Sequence, residues 1–154
     1  MIVLGLGNLL LSDEGVGIHV VNALIERKSL PGVELVDGGV AGFSLISLIE
    51  EHERAVLIDA VNAPLPPGTV ISLLPGEVGK KRGDRFSLHD FTVRDVLDLL
   101  VIRDTMPEMI ILGIVPEDIH TYRIGLSETL ERKFNEIVEK IVNEVRSFAA
   151  SSPQ

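Results

Sequence analysis

Three side chains in this sequence carry oxygen or nitrogen at places where a folded chain can turn them outward. Glu14 follows the glycine-rich opening "VLGLGNLLLSDEG", Asp59 closes the apolar run "AVLIDAV", and His89 sits in "SLHD". A carboxylate that enters an apolar strand is costly unless it pairs, binds a cation or reaches a crevice, so Asp59 is expected to face a site. Ser87 and Asp90 have the spacing of a capping box, which puts His89 in the first turn of a helix. There the positive end of the helix dipole favours the neutral imidazole, the form that ligates metals. Taken singly, each has a plain reading: Asp59 as a buried hydrogen-bonded acid, His89 as a solvated residue at a helix start. Together, two carboxylates and one imidazole make an open site for a hard-to-borderline cation. The chain has no cysteine, so any metal here must see oxygen or imidazole.

The elements that must bring these residues together follow from periodicity. Residues 2–6 read as an apolar strand. Residues 14–27 carry Val16, Val20, Val21, Leu24 and Ile25 at helical spacing, with Asp13 as N-cap and Glu14 as a first-turn charge. "LPGVELVDGG" predicts a second strand ending at Asp37, residues 43–51 a second helix, and "RAVLIDAV" a buried parallel strand. The alternation signals an α/β sandwich. "NAPLPPG" is too short for a crossover helix, so "TVISLL" is expected as an antiparallel edge strand. After the polar loop "GEVGKKRGDR" come a helix in "SLHDFTVRDVLDLLV", a strand in "EMIILGIV" and a long amphipathic helix to residue 150. One compact domain over residues 1–150 and a loose tail over 151–154 are expected. With the first strand between the second and third, Glu14 and Asp59 open onto one crevice at the sheet's switch point.

Composition excludes several partners. A chain of 154 residues with a formal net charge of −9 repels phosphate backbones and anionic membranes. No apolar run approaches a membrane span and no leader-like segment is evident, so a cytoplasmic location is expected. The dinucleotide fingerprint requires a third glycine where this chain has Leu10, which leaves Asp37 as the only support for a ribose-binding reading. Gly38 and Gly39 follow a strand end, where positive φ or a closely approaching peptide favours glycine. Asp37, Gly38 and Gly39 are therefore candidate substrate-binding residues. His19, His52 and His120 read as surface or capping residues, and Ser44 lacks a nucleophile-elbow motif.

"GLGNLLLSDEGVG", "DGGVAG", "LIDAV", "SLHD" and "GIVPEDIHTYRIGLS", in this order and spacing, resemble the hydrogenase maturation endopeptidases over nearly the whole chain. The resemblance implies a three-layer αβα sandwich of the phosphorylase/hydrolase-like kind, with a five-stranded, mostly parallel sheet and one antiparallel strand. It implies an endopeptidase that removes the C-terminal extension of a nickel–iron hydrogenase large subunit after nickel insertion. It also implies Glu14, Asp59 and His89 as the metal-contacting and catalytic residues. Many members have two aspartates where this chain has "DE", which keeps the charge and lengthens the reach by one methylene. Nickel is expected to arrive with the substrate's thiolates, with no tightly bound cofactor of the enzyme's own. The partner implied is the large-subunit precursor, with no nucleic acid and no membrane insertion. A non-catalytic chaperone for that precursor is the alternative. An acid-protease mechanism through Asp13 or Asp37 would need a close carboxyl pair that the sequence does not display.

Overall fold

The computed structural model describes residues 1–40, 42–78 and 93–151. Its elements are β1 (Ile2–Leu6), a 3-10 turn (Ser12–Gly15), α1 (Val16–Arg27), β2 (Glu34–Gly39), α2 (Phe43–Glu50), β3 (Arg54–Ala60), β4 (Val70–Leu73), a second 3-10 turn (Pro75–Glu77), α3 (Val93–Ile102), β5 (Glu108–Ile114) and α4 (Glu128–Ala150). The sheet order is β2-β1-β3-β5-β4. β1 pairs in parallel with β2 and β3, and β3 with β5, while β4 runs antiparallel along β5 at the edge. The short connection after β3 has this effect: without a crossover helix the chain crosses the end of β5 and returns along its far side. The αβα sandwich and its one antiparallel strand are as the sequence predicts.

Strands that are apolar throughout must be covered on both faces. Val3, Val56, Ile58, Leu112 and Ile114 pack under α1 and α4, against Val16, Val20, Leu24, Ile137 and Ile141. Ile2, Leu4, Leu57 and Ile111 alternate to the other face, under Leu45, Ile46 and Ile49 of α2 and Leu97 and Leu100 of α3. Each fully buried leucine or isoleucine contributes about 1.5–3 kcal/mol, so the two apolar layers supply the main stabilisation. Among the described residues, no helix is long and apolar enough to cross a membrane.

Three boundaries differ from the sequence reading. The first helix begins at Val16, not Glu14, because Ser12 takes φ 51° and residues 12–15 wind as a tight 3-10 turn. β2 continues two residues past Asp37: pairing shifts at Leu6, which lies opposite Gly39, so Gly38 is an extra residue in the strand. Ser151, the first residue of the expected loose tail, is tied down, with its hydroxyl accepting from Arg54 Nη2 at 2.9 Å and donating to Phe148 O at 2.7 Å. A guanidinium at the start of β3 thus anchors the end of α4.

Backbones approach closely where α1 crosses β1 and β3. A Cβ on Gly17 would stand 2.2 Å from Ile58 O and 2.4 Å from Leu6 O, and one on Gly5 would stand 2.3 Å from Gly17 O. Backbone meets backbone, with no flexible side chain to give way. Gly17→Ala is therefore expected to lower stability by about 3 kcal/mol or more. A shift of the urea midpoint monitored by far-UV circular dichroism measures it; an unchanged midpoint would show that α1 can lift from the sheet at little cost.

Candidate active site

Pairing of β1 with β3 ends at Gly5 and Ile58, and the first 3-10 turn packs against β3. The turn is held there by glycine chemistry. Gly7, at φ 139°, lies so near the turn that a Cβ on it would be 1.9 Å from Glu14 O. Its amide donates to Gly39 O at 3.0 Å, joining the ends of β1 and β2. The glycine loop is thus folded back onto its own turn, and what it delivers to the crevice is Glu14, whose amide donates to Leu11 O at 3.1 Å.

Asp59 occupies the end of β3, opposite Gly113 of β5, after four fully buried residues. It is half-buried, and its Oδ1 accepts from the Ala60 amide at 2.8 Å. Loss of solvation pushes the carboxyl up to about 7, the negative charge of Glu14 adds to the rise, and the Ala60 hydrogen bond opposes it. The two acids that the sequence predicts to share the crevice therefore sense each other electrostatically. A carboxyl that changes charge near neutrality can exchange a proton with water at physiological pH, and a cation can displace that proton. The third expected ligand, His89, lies outside the described residues, as do its capping box and the "GKKRGD" portion of the polar loop. Among the described residues, no three metal-binding side chains converge.

Asp13 has a role that its sequence position does not disclose. It caps neither the 3-10 turn nor α1, whose N-cap positions are Leu11 and Gly15 without a side-chain cap. Its fully buried carboxylate reaches across the molecule instead: Oδ2 accepts from the amides of Glu117 at 2.9 Å and Asp118 at 3.0 Å, and Oδ1 from Ser127 at 2.7 Å. Its own amide donates to Asp118 O at 2.9 Å. The acid beside Glu14 is therefore a bolt between the turn and the segment leading from β5 to α4, and it is closed to substrate. The carboxyl pair of an acid protease cannot be built on it. Arg123 reinforces the same joint, its guanidinium donating to Leu126 O and to Ser12 Oγ. Two unlike residues far apart in sequence give no local pattern by which to find this strut.

The remaining candidates are placed as follows. Asp37 is exposed, and its Oδ1 accepts from the Gly39 amide at 2.9 Å. Gly38 and Gly39 are glycines for different reasons: a Cβ on Gly38 would be 2.6 Å from Leu6 Cδ2, whereas Gly39 has open space and φ 59°. The ring of His52 lies against Leu48 O and Glu34 at the end of α2. His120 is exposed, with its amide donating to Asp118. His19 is less exposed than a surface reading implies: it is half-buried on α1, its Nε2 has no partner among the described residues, and burial lowers its proton affinity.

An αβα sandwich opening two acids at its switch point is the class of crevice enzyme that the fold and site define. The hydrogenase maturation protease family model matches residues 18–144. The chain is 34% identical over 149 residues to the hydrogenase 2 maturation protease of Escherichia coli, covering 95% of this chain and 90% of that one. It is 37% identical over 131 residues to the hydrogenase expression/formation protein HoxM of Azotobacter vinelandii, where the match spans 83% of this chain and 63% of the relative. The solved hydrogenase maturating endopeptidase HybD from E. coli superposes with a TM-score of 0.78 at 29% identity, covering 95% of this chain and 91% of that one. The maturation protease HycI from Thermococcus kodakarensis, at 22% identity and a TM-score of 0.72 over 92% and 89% of the chains, shares the fold. The chain belongs to the hydrogenase maturation protease family and is a peptide-bond hydrolase.

Two predictions follow from the opposed settings of Asp13 and Asp59. Asp59 is raised in the fold, so ionising it costs stability as pH climbs from the unfolded value near 4 through about 7; above that window the penalty is complete, at most ~4 kcal/mol. Asp59→Asn should therefore be more stable than wild type at pH 8 and nearly equal at pH 4, read by chemical denaturation. A constant difference across that range would refute the burial penalty. Asp13→Asn turns an amide NH2 toward backbone N–H donors and should lower stability by about 2–3 kcal/mol at neutral pH. Wild-type denaturation by this variant would mean that the three amide bonds are dispensable.

Proposed function

We propose that this protease removes the C-terminal extension of a nickel–iron hydrogenase large-subunit precursor, and that Glu14, Asp59 and His89 meet the nickel already bound in that substrate. The observation that carries the reading is the setting of Asp59 at the end of β3, where burial pushes its carboxyl up to about 7 and the charge of Glu14 adds to the rise. Two acids that disfavour each other's charge form a place for which an arriving cation is the natural complement. Oxygen and imidazole donors without thiolate do not easily extract a metal held by cysteines, but they can add contacts to it. Metal recognition and hydrolysis would then coincide in one crevice, with the metal acting as part of the substrate. A divalent ion polarises a peptide carbonyl or a water, and Asp59, poised between its two charge states, is suited to exchange the proton. Asp37, Gly38 and Gly39 flank the crevice at the end of β2 as the proposed substrate-binding rim.

Mass spectrometry of precursor incubated with metal-free enzyme tests this directly. Nickel-loaded precursor should be shortened and apo precursor left intact, while Glu14→Gln, Asp59→Asn and His89→Ala should each reduce the rate about 100-fold or more with the fold preserved. Equal cleavage of apo and loaded precursor would exclude reading of the metal. Wild-type rates in two of the three variants would remove the site assignment.

A further inference from the structure

Beside the candidate active site, two loop segments make a short ribbon. Leu11 and Arg123 form a parallel β-bridge, in which the Arg123 amide donates to Leu10 O at 3.0 Å and Arg123 O accepts from the Ser12 amide at 2.9 Å. Both backbone groups of Arg123 are thus spent on residues 10–12. The backbone groups of the flanking residues Tyr122 and Ile124, the latter at a bend, take no part in that pairing. They have no hydrogen-bond partner among the described residues. The side chains are unusual as well: Tyr122 is 86% exposed, Ile124 78% and Leu10 57%. Tyr122 and Ile124 stand on either side of Arg123, close to Leu10 on the neighbouring segment. An open backbone edge with an apolar face is what a protein ordinarily covers or blunts.

We infer that residues 122–124 are a docking edge, on which an extended segment of the protease's substrate adds as a third strand and covers Leu10, Tyr122 and Ile124. The inference rests on the proposed function for the identity of that substrate. Three features select an extended peptide as occupant. The unpaired amides and carbonyls match a backbone, the exposed apolar side chains match alternate residues of a strand, and a peptidase must take its scissile segment in extended form. The edge is also continuous with the site: residues 10–12 lead directly into the turn that carries Glu14, and the strut from Asp13 to Glu117, Asp118 and Ser127 fixes both sides of the ribbon. Charge complementarity restricts the occupant further. The protein's formal charge is −9, and Glu117 and Asp118 flank this segment, with Asp118 held well below the usual carboxylate range by hydrogen bonds from Thr121 and the His120 amide. The docked segment is therefore apolar at alternate positions and neutral or basic at its flanks.

Amide hydrogen exchange on the full chain, alone and with the nickel-loaded precursor, reads the edge directly. Tyr122 and Ile124 amides should exchange at least tenfold more slowly in the complex. The double variant Tyr122→Ser, Ile124→Ser should raise KM for precursor cleavage about tenfold or more, with the loss falling on KM rather than kcat. Because both side chains are largely exposed, the variant should melt as wild type does. Unchanged exchange and KM in an enzyme that cleaves the precursor would overturn the docking edge while leaving the proposed function standing. An enzyme that neither binds nor cleaves the precursor would overturn both. Slower exchange that appears on raising protein concentration without precursor would assign the edge to a second copy of this chain and overturn the inference.

Discussion

The carboxylate of Asp13 is the interaction on which the active end of this protein depends. Three backbone amides from residues 117, 118 and 127 converge on one fully buried side chain, so the turn after β1 and the segment after β5 form a single rigid corner. Without that acid, the buried Ser127 amide would lack an acceptor, at a cost of about 1–3 kcal/mol, and the part-buried amides of Glu117 and Asp118 would lose theirs as well. The neighbouring Glu14 inherits its position from this arrangement. Its backbone adjoins a bolted anchor, a support of the kind that the proposed site would require.

Adjacent acids in the "DE" pair therefore divide structural and chemical labour through their surroundings. Asp13 is surrounded by donors and closed to solvent. Asp59, across the crevice from Glu14, has one amide bond to offset its lost hydration, and its proton affinity rises accordingly. The stability sacrificed in holding Asp59 and Glu14 close is offset elsewhere, by the two apolar layers on either side of the sheet and the glycine contact of α1 with β1 and β3. Strain of this kind concentrates where chemistry is performed.

The surface at that corner is partly apolar in a protein that is acidic as a whole. The ribbon formed by residues 10–12 and 122–124 combines apolar side chains with unpaired backbone groups, and it is held by the same strut that positions Glu14. A single buried carboxylate thus ties together the turn that carries Glu14 and the inferred docking edge. Under the proposed function, coupling of the two would let binding of a remote substrate segment align the scissile bond.

Much of this architecture is legible in the sequence because it rests on local pattern. Continuous apolar runs specify buried parallel strands, residues 61–69 are too few for a crossover helix, and the order of β2, β1 and β3 places Glu14 and Asp59 at one switch point. The sequence motifs likewise carry the family resemblance, because glycine loops and strand-end acids are contiguous in the chain. What only the tertiary structure decided are the properties that depend on distant neighbours. Whether Asp13 caps a helix or bolts two segments together turns on amides more than 100 residues away. The same holds for the proton affinity of Asp59, set by burial and by Glu14, and for the open edge at Tyr122 and Ile124, created by pairing of Arg123 with Leu11. Local periodicity reports which residues are apolar and how often they recur; hydrogen-bond partners and dielectric environment are fixed only when the chain has closed around them.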